Sequence, residues 1–222
     1  MPGAYAIPVV SAVIFDLDGL LSDTEPLHCA AWRRTLADIG VDLSEADFCD
    51  HWIRAGLEIT DFVRLRGLDH DPEVLRRAKL ALYTDLLGAS LRPMPGAVEL
   101  IAALHGRKRL ALATSSFAAT VELILETLGV ARYFETIATH ESVTRLKPQP
   151  DVFLLVAERL GVPPAECLVL EDAEKGVLAA HAAGMKVIAV PTVHTRDNDF
   201  SKATLVVRSL EDVSPELLDS LD

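Results

Sequence analysis

The feature that most constrains this chain is the run Val9 to Asp16, nearly continuous in apolar residues, rich in β-branched side chains and closed by Asp16-Leu17-Asp18-Gly19. A strand apolar on both faces belongs inside a parallel sheet covered on both sides, so helices must follow it. Short runs of the same type recur at Leu110 to Thr114, Thr136 to Thr139, Cys167 to Glu171 and Lys186 to Val190. Between them lie helical patterns at Ala118 to Leu128, Pro150 to Leu160 and Gly176 to Ala183, each followed by a glycine. This alternation predicts an α/β fold, a doubly wound parallel sheet of Rossmann-like type.

From about Glu25 to Arg92 the pattern changes. Trp32, Leu36 and Ile39, then Leu75, Leu80 and Leu86, recur at helical spacing with little strand signal, and Pro93-Met94-Pro95-Gly96 punctuates the return. The expected organisation is a catalytic core of residues 1–24 and 93–222 with an all-helical cap of residues 25–92. At 222 residues the chain can bury one large core plus such a module. Ligands of open α/β sheets bind beyond the carboxyl ends of the strands, so an insertion leaving from that edge is placed to be a lid.

The net charge of −12 argues against nucleic acid or an anionic membrane as partner. The apolar stretch Ala6 to Phe15 is too short to span a bilayer and has no positive segment before it, which predicts a cytoplasmic protein. Cys29, Cys49 and Cys167 have neither disulfide nor zinc-site spacing. Oligomeric state is not written in the sequence.

The predicted carboxyl ends of the strands present Asp16 and Asp18, then Thr114 with Ser115 and Ser116, then Lys147, then Glu171 and Asp172. Each has a bland reading: Asp-Gly pairs make turns, serine and threonine cap helices, a lysine before proline is an ordinary loop residue, and acids favour helix starts. Their occurrence in order, each directly after a predicted strand, makes coincidence a poor explanation. A carboxylate nucleophile, a second carboxylate, hydroxyl and amide donors, an ammonium and an acidic pair for a cation are the parts of a phosphoryl-transfer site.

The segment Phe15-Asp16-Leu17-Asp18-Gly19-Leu20-Leu21-Ser22-Asp23-Thr24-Glu25-Pro26 resembles the first motif of the haloacid dehalogenase superfamily, in the branch with a helical cap after that motif. Thr114 matches the second-motif Ser/Thr, Lys147-Pro148-Gln149-Pro150-Asp151 the third motif, and Glu171-Asp172-Ala173-Glu174-Lys175-Gly176 the fourth, with Ala173 where serine is usual. The likeness covers residues 9 to 191. It implies a phosphatase acting on a small phosphorylated metabolite, with Asp16 as nucleophile forming an aspartyl-phosphate and Asp18 as acid and base. Asp18 also argues against dehalogenation. Mg²⁺ is the expected cofactor, held by Asp16, the Asp18 carbonyl and Asp172 with help from Glu171, because an all-oxygen site suits magnesium better than zinc. Thr114 and Lys147 complete the catalytic set, while Ser115 and Ser116 are expected to bind the phosphate.

Within the cap, His28, Trp32, His51, Trp52, Arg54 and Lys79 are the candidates for contacting the leaving group, and Arg54 is the one singled out, since a cationic fork suits an anionic or polyol group. His28 to Gly40 resembles the first cap helix of the β-phosphoglucomutase and sugar-phosphate phosphatase branch, which tilts the substrate toward a sugar phosphate. A phosphomutase using the same core residues is the nearest alternative, and a catalytically idle binding relative the more remote one.

Overall fold

In a computed structural model, residues 9–221 are described. The stretch Ala6 to Phe15 therefore begins outside the described residues, as do the first positions of the expected core. Its described part forms β1 (Ala12–Phe15), buried along its whole length. The other strands are β2 (Arg109–Ala113), β3 (Thr136–Ala138), β4 (Cys167–Glu171), β5 (Lys186–Ala189) and β6 (Leu205–Val206). They form one parallel sheet in the order β3-β2-β1-β4-β5-β6, so the winding reverses beside β1.

The helices are α1 (Glu25–Ala37), α2 (Glu45–Phe48), α3 (Ile59–Leu65), α4 (Pro72–Ser90), α5 (Ala97–Leu104), α6 (Ala118–Leu128), α7 (Asp151–Leu160), α8 (Glu174–Ala182) and α9 (Pro215–Ser220). A π-helical segment, Cys49–Arg54, continues α2. Because alternate strand residues point to opposite faces, Val13 and Phe15 join one apolar layer with Leu100, Ile124 and Leu218, from α5, α6 and α9. Ala12 and Ile14 join the other, with Phe153 and Val156 of α7 and Val177 of α8. Helices on both faces of a parallel sheet are the doubly wound arrangement the alternating runs predict.

Four strands end one residue before the sequence pattern suggests. Phe15, Ala113, Ala138 and Ala189 are the last ladder residues, and Asp16, Thr114, Thr139 and Val190 follow. Asp16 and Thr114 still donate their backbone N–H groups to the Leu170 and Ala138 carbonyls of neighbouring strands, and their side chains stand at the rim. Strand β6, α5 and α9, of 2, 8 and 6 residues, have no counterpart in the sequence reading, being short.

The inserted helices have their own apolar cluster, including Trp32, Leu36, Phe48, Ile59, Phe62 and Leu75. Leu27 and Ala31 of α1 and Tyr83 and Leu87 of α4 instead pack into the main core. On α4 the buried stripe runs Leu75, Lys79, Tyr83, Leu87. Leu80, which the apolar spacing selects, is 48% exposed. Steps of four place a lysine on the inward face, and a count of apolar residues alone passes over it.

Candidate active site

Parallel register sets the geometry. Phe15 pairs with Leu112 on one side and Leu170 on the other, so Asp16, Thr114 and Glu171 emerge at the same edge of three adjacent strands. Asp16, Thr114, Lys147, Glu171 and Asp172 are all buried.

Lys147 binds them together. Its Nζ donates to Asp16 Oδ1 at 2.6 Å, to Glu171 Oε1 at 2.7 Å and to the Ala113 carbonyl at 2.9 Å. Burial alone would lower the lysine's pKa, but the charges of Asp16 and Glu171 outweigh it and hold the ammonium protonated well beyond its usual range. Glu171 Oε2 accepts from the backbone N–H groups of Asp172 (3.0 Å) and Ala173 (3.1 Å) at the start of α8.

Asp16, Glu171 and Asp172 offer oxygens that all lie within 4.8 Å of one another. Burial, then the neighbouring carboxylates of Glu171, Asp16 and Glu25, push the Asp172 carboxyl well above its ordinary range, with Lys175 opposing. Three crowded carboxyl groups with no nitrogen or sulfur ligand among them fit a hard divalent cation. Two glycines make the crowding possible. Gly19 has φ +78°, and a Cβ there would meet the Asp172 carboxylate; a Cβ on Gly176 would overlap the carboxylate of Glu171.

Asp18 takes a different position. Its Oδ1 accepts from Thr24 Oγ1 at 2.7 Å and its Oδ2 from Ser116 Oγ at 2.5 Å. Burial and the charge of Asp16 raise its pKa, while the two hydroxyls and Lys175 work the other way. Ser116, expected on the phosphate, thus directs its hydroxyl to Asp18, and its amide donates to Thr114 Oγ1 at 3.1 Å. Ser115 lines the cavity in front of these groups.

That cavity, of about 490 Å³, is also lined by inserted residues, among them Glu25, His28, Trp32, Phe48, Trp52 and Arg54. His28 Nδ1 lies 2.6 Å from Lys79 Nζ, the His28 ring stacks on Tyr83 at 4.0 Å, and the Lys79 ammonium sits 4.1 Å over that same ring. Burial, then the Lys79 charge, keeps His28 neutral by pulling its pKa well below the usual value. Burial also lowers Lys79 to about 8 against the opposing pull of Asp18, Glu25 and Glu58. Trp52 stacks on Trp32 at 5.3 Å and on Phe48 at 5.5 Å. Arg54 is at the cavity but pairs with Asp50 and is largely exposed. His51 is turned to the Glu58 carbonyl, 3.0 Å from its Nε2.

Thr24, Glu25, Lys175 and Asn198 were not singled out by the sequence. Asn198 and Thr195 reach the cavity from the segment between β5 and β6. Asn198 Oδ1 accepts from the Glu174 amide at 3.2 Å, at the helix start where Ala173 has no side chain to cap with. Thr24 and Glu25 lie inside the matched first motif, so that signal was present; Asn198 had none.

A buried carboxylate held against a protonated lysine, at the floor of a cavity, defines an enzyme site for an anionic substrate. The chain belongs to the haloacid dehalogenase-like hydrolases, whose family model matches residues 10–184. It is 37% identical over 181 residues to the fructose-1-phosphate phosphatase YqaB of Escherichia coli, a match covering 81% of this chain and 96% of that one. Among solved structures it resembles CbbY from Rhodobacter sphaeroides in complex with phosphate, with a TM-score of 0.80 at 29% identity over 92% of this chain and 96% of that one. It also resembles β-phosphoglucomutase from Clostridium difficile, with a TM-score of 0.77 at 25% identity over 96% and 97% of the two chains. The chain is a hydrolase, and its phosphatase relatives are consistent with a phosphoric monoester hydrolase. No helix among the described residues is long and apolar enough to cross a membrane.

Proposed function

We propose that this protein is a Mg²⁺-dependent phosphatase that hydrolyses a small phosphomonoester, a sugar phosphate, through an aspartyl-phosphate on Asp16. The observation that carries the reading is the 2.6 Å contact between Lys147 and Asp16 inside a cluster of buried acids. A carboxylate can attack a phosphate dianion only if positive charge offsets their repulsion, and the lysine supplies a fixed part of it. Asp16, Asp172 and the Asp18 carbonyl would hold the metal, which when bound neutralises the remaining charge of the phosphate. Glu171, engaged by Lys147 and two amides, serves to orient its neighbours.

Asp16 attacks phosphorus in line, with Thr114 and the amides near Ser115 and Leu17 receiving the phosphoryl oxygens. Asp18, raised in pKa and oriented by Ser116 and Thr24, gives its proton to the leaving oxygen. It then takes one from the water that attacks the intermediate. Residues 25–92 act as the cap that closes over the leaving group, and the neutral His28 beside Lys79 faces that group with a hydrogen-bonding edge. A cytoplasmic location is part of this proposal.

Phosphate release from p-nitrophenyl phosphate and from a series of sugar phosphates, with Mg²⁺ and with chelator, tests this reading. It requires metal-dependent release that Asp18→Asn abolishes. Release without metal, or an Asp18→Asn enzyme of near wild-type rate, would overturn it. A phosphomutase would shelter the intermediate and return isomerised product when a bisphosphate activator is added.

A further inference from the structure

We infer that Asn198 is a positioning residue for the cation cluster: by accepting from the first amide of α8 it fixes the turn that carries Asp172, in place of the side-chain cap that Ala173 lacks. The inference rests on the reading of Asp16, Glu171 and Asp172 as a cation site and goes beyond it by naming what holds the last of the three.

The three carboxyl groups are held differently. Lys147 binds Asp16 and Glu171, whereas no hydrogen bond or ion pair among the described residues engages the Asp172 carboxyl. One of its oxygens lies within 4.8 Å of oxygens of the other two acids, and like charges at that range repel. Its place therefore depends on the backbone of residues 171–174. Glu171 Oε2 pins the amides of Asp172 and Ala173. The next amide, that of Glu174, opens α8 and is one of the donors that a helix start leaves without a partner. Ala173 has no oxygen with which to cap this turn. Asn198 Oδ1 supplies one from 24 residues away, at 3.2 Å from the Glu174 nitrogen.

The contact is a clamp of two bonds. Glu174 Oε2 accepts in return from the Asp199 amide at 3.3 Å. The segment behind Asn198 is itself tied down. Thr195 is buried, its Oγ1 accepts from the Thr192 amide at 2.9 Å, and its carbonyl accepts from the Asn198 amide at 2.9 Å. A tether anchored in this way can hold Asp172 toward its neighbours against their repulsion. Thr195, Asn198 and Asp172 all line the same cavity.

The test is calorimetric titration of Mg²⁺ alone into metal-free protein, with the melting temperature of each variant measured beside it. Asn198→Ala should raise the Kd for Mg²⁺ about fivefold or more, the scale of one lost hydrogen bond. Adding Ala173→Ser to that variant should recover most of the loss, because the serine caps the same turn from within. An unchanged Kd in Asn198→Ala would overturn the inference however far the melting temperature falls, since a contact serving stability alone would move only the latter. A weakened affinity that Ala173→Ser leaves uncorrected would also overturn it, by placing Asn198 on the ion and not on the turn. Wild-type protein that takes up no Mg²⁺ would instead remove the cation reading itself, and this inference with it.

Discussion

Lys147 and Asp16, 131 residues apart in sequence, meet at 2.6 Å between buried ends of the chain's central strands. The same ammonium is 2.7 Å from Glu171, so one buried cation serves two buried carboxylates. Lys147→Met removes it and leaves those acids facing each other. The expected result is a loss of kcat of at least about a thousandfold, comparable to loss of a major electrostatic contact. A destabilisation of about 3–5 kcal/mol should accompany it in metal-free urea titrations, the usual consequence of breaking a buried ion pair by removing one partner.

Gly176 is set against Glu171 so closely that any side chain would overlap its carboxylate. Gly176→Ala should therefore destabilise the protein by about 1–3 kcal/mol through overpacking. It should also weaken metal affinity, measured as the Mg²⁺ concentration for half-maximal rate, because Glu171 and Asp172 must shift together.

Lys79 is buried on α4 with a pKa near 8 against the usual 10.5, and it faces His28, Tyr83, Asp18, Glu25 and Glu58. Below its folded pKa both folded and unfolded chains carry the proton, and the folded one bears the full desolvation penalty. Between the two values the unfolded chain binds more protons, so stability rises with pH. Lys79→Met should thus be more stable than wild type by roughly 1–3 kcal/mol near neutral pH, with the difference shrinking by half or more by about pH 10. Comparing the two proteins cancels the opposite contribution of Tyr83, whose hydroxyl is held above its usual pKa by burial and by Asp18 and Glu25. Urea midpoints across that range measure the difference, and the variant should lose sugar-phosphate turnover while gaining stability.

Ala173 begins α8 with extended backbone angles and no side-chain cap. Ala173→Ser restores an oxygen able to accept from the first-turn amides and should add about 1 kcal/mol of stability. Differential scanning calorimetry of the metal-free protein reads this gain directly.

The residues legible in the sequence are those whose position follows from chain direction. Asp16, Thr114 and Asp172 stand directly after apolar runs, and parallel pairing brings all such positions to one rim. Lys147 was legible through its proline-rich motif. What was not legible depends on side chains meeting across elements. Ser116 stands in the right turn, but only the fold shows its hydroxyl on Asp18. Arg54 has the right chemistry for the leaving group, yet its charge is shared with Asp50 one helical turn away. Lys79 sits on an apolar stripe that a polar residue should interrupt, and its value to the site lies in His28, 51 residues earlier. Asn198 belongs to an irregular segment with no periodicity to read.

The central claim is that Asp16 carries the phosphoryl group. The direct measurement is a mass spectrum of Asp18→Asn protein quenched in acid after mixing with p-nitrophenyl phosphate, whose leaving group departs without a proton, and Mg²⁺, followed by peptide mapping. One phosphoryl group on the peptide containing Asp16, absent when Asp16→Asn is added, is the predicted result. No adduct under conditions where wild type turns over, or an adduct that persists without Asp16, would contradict the account.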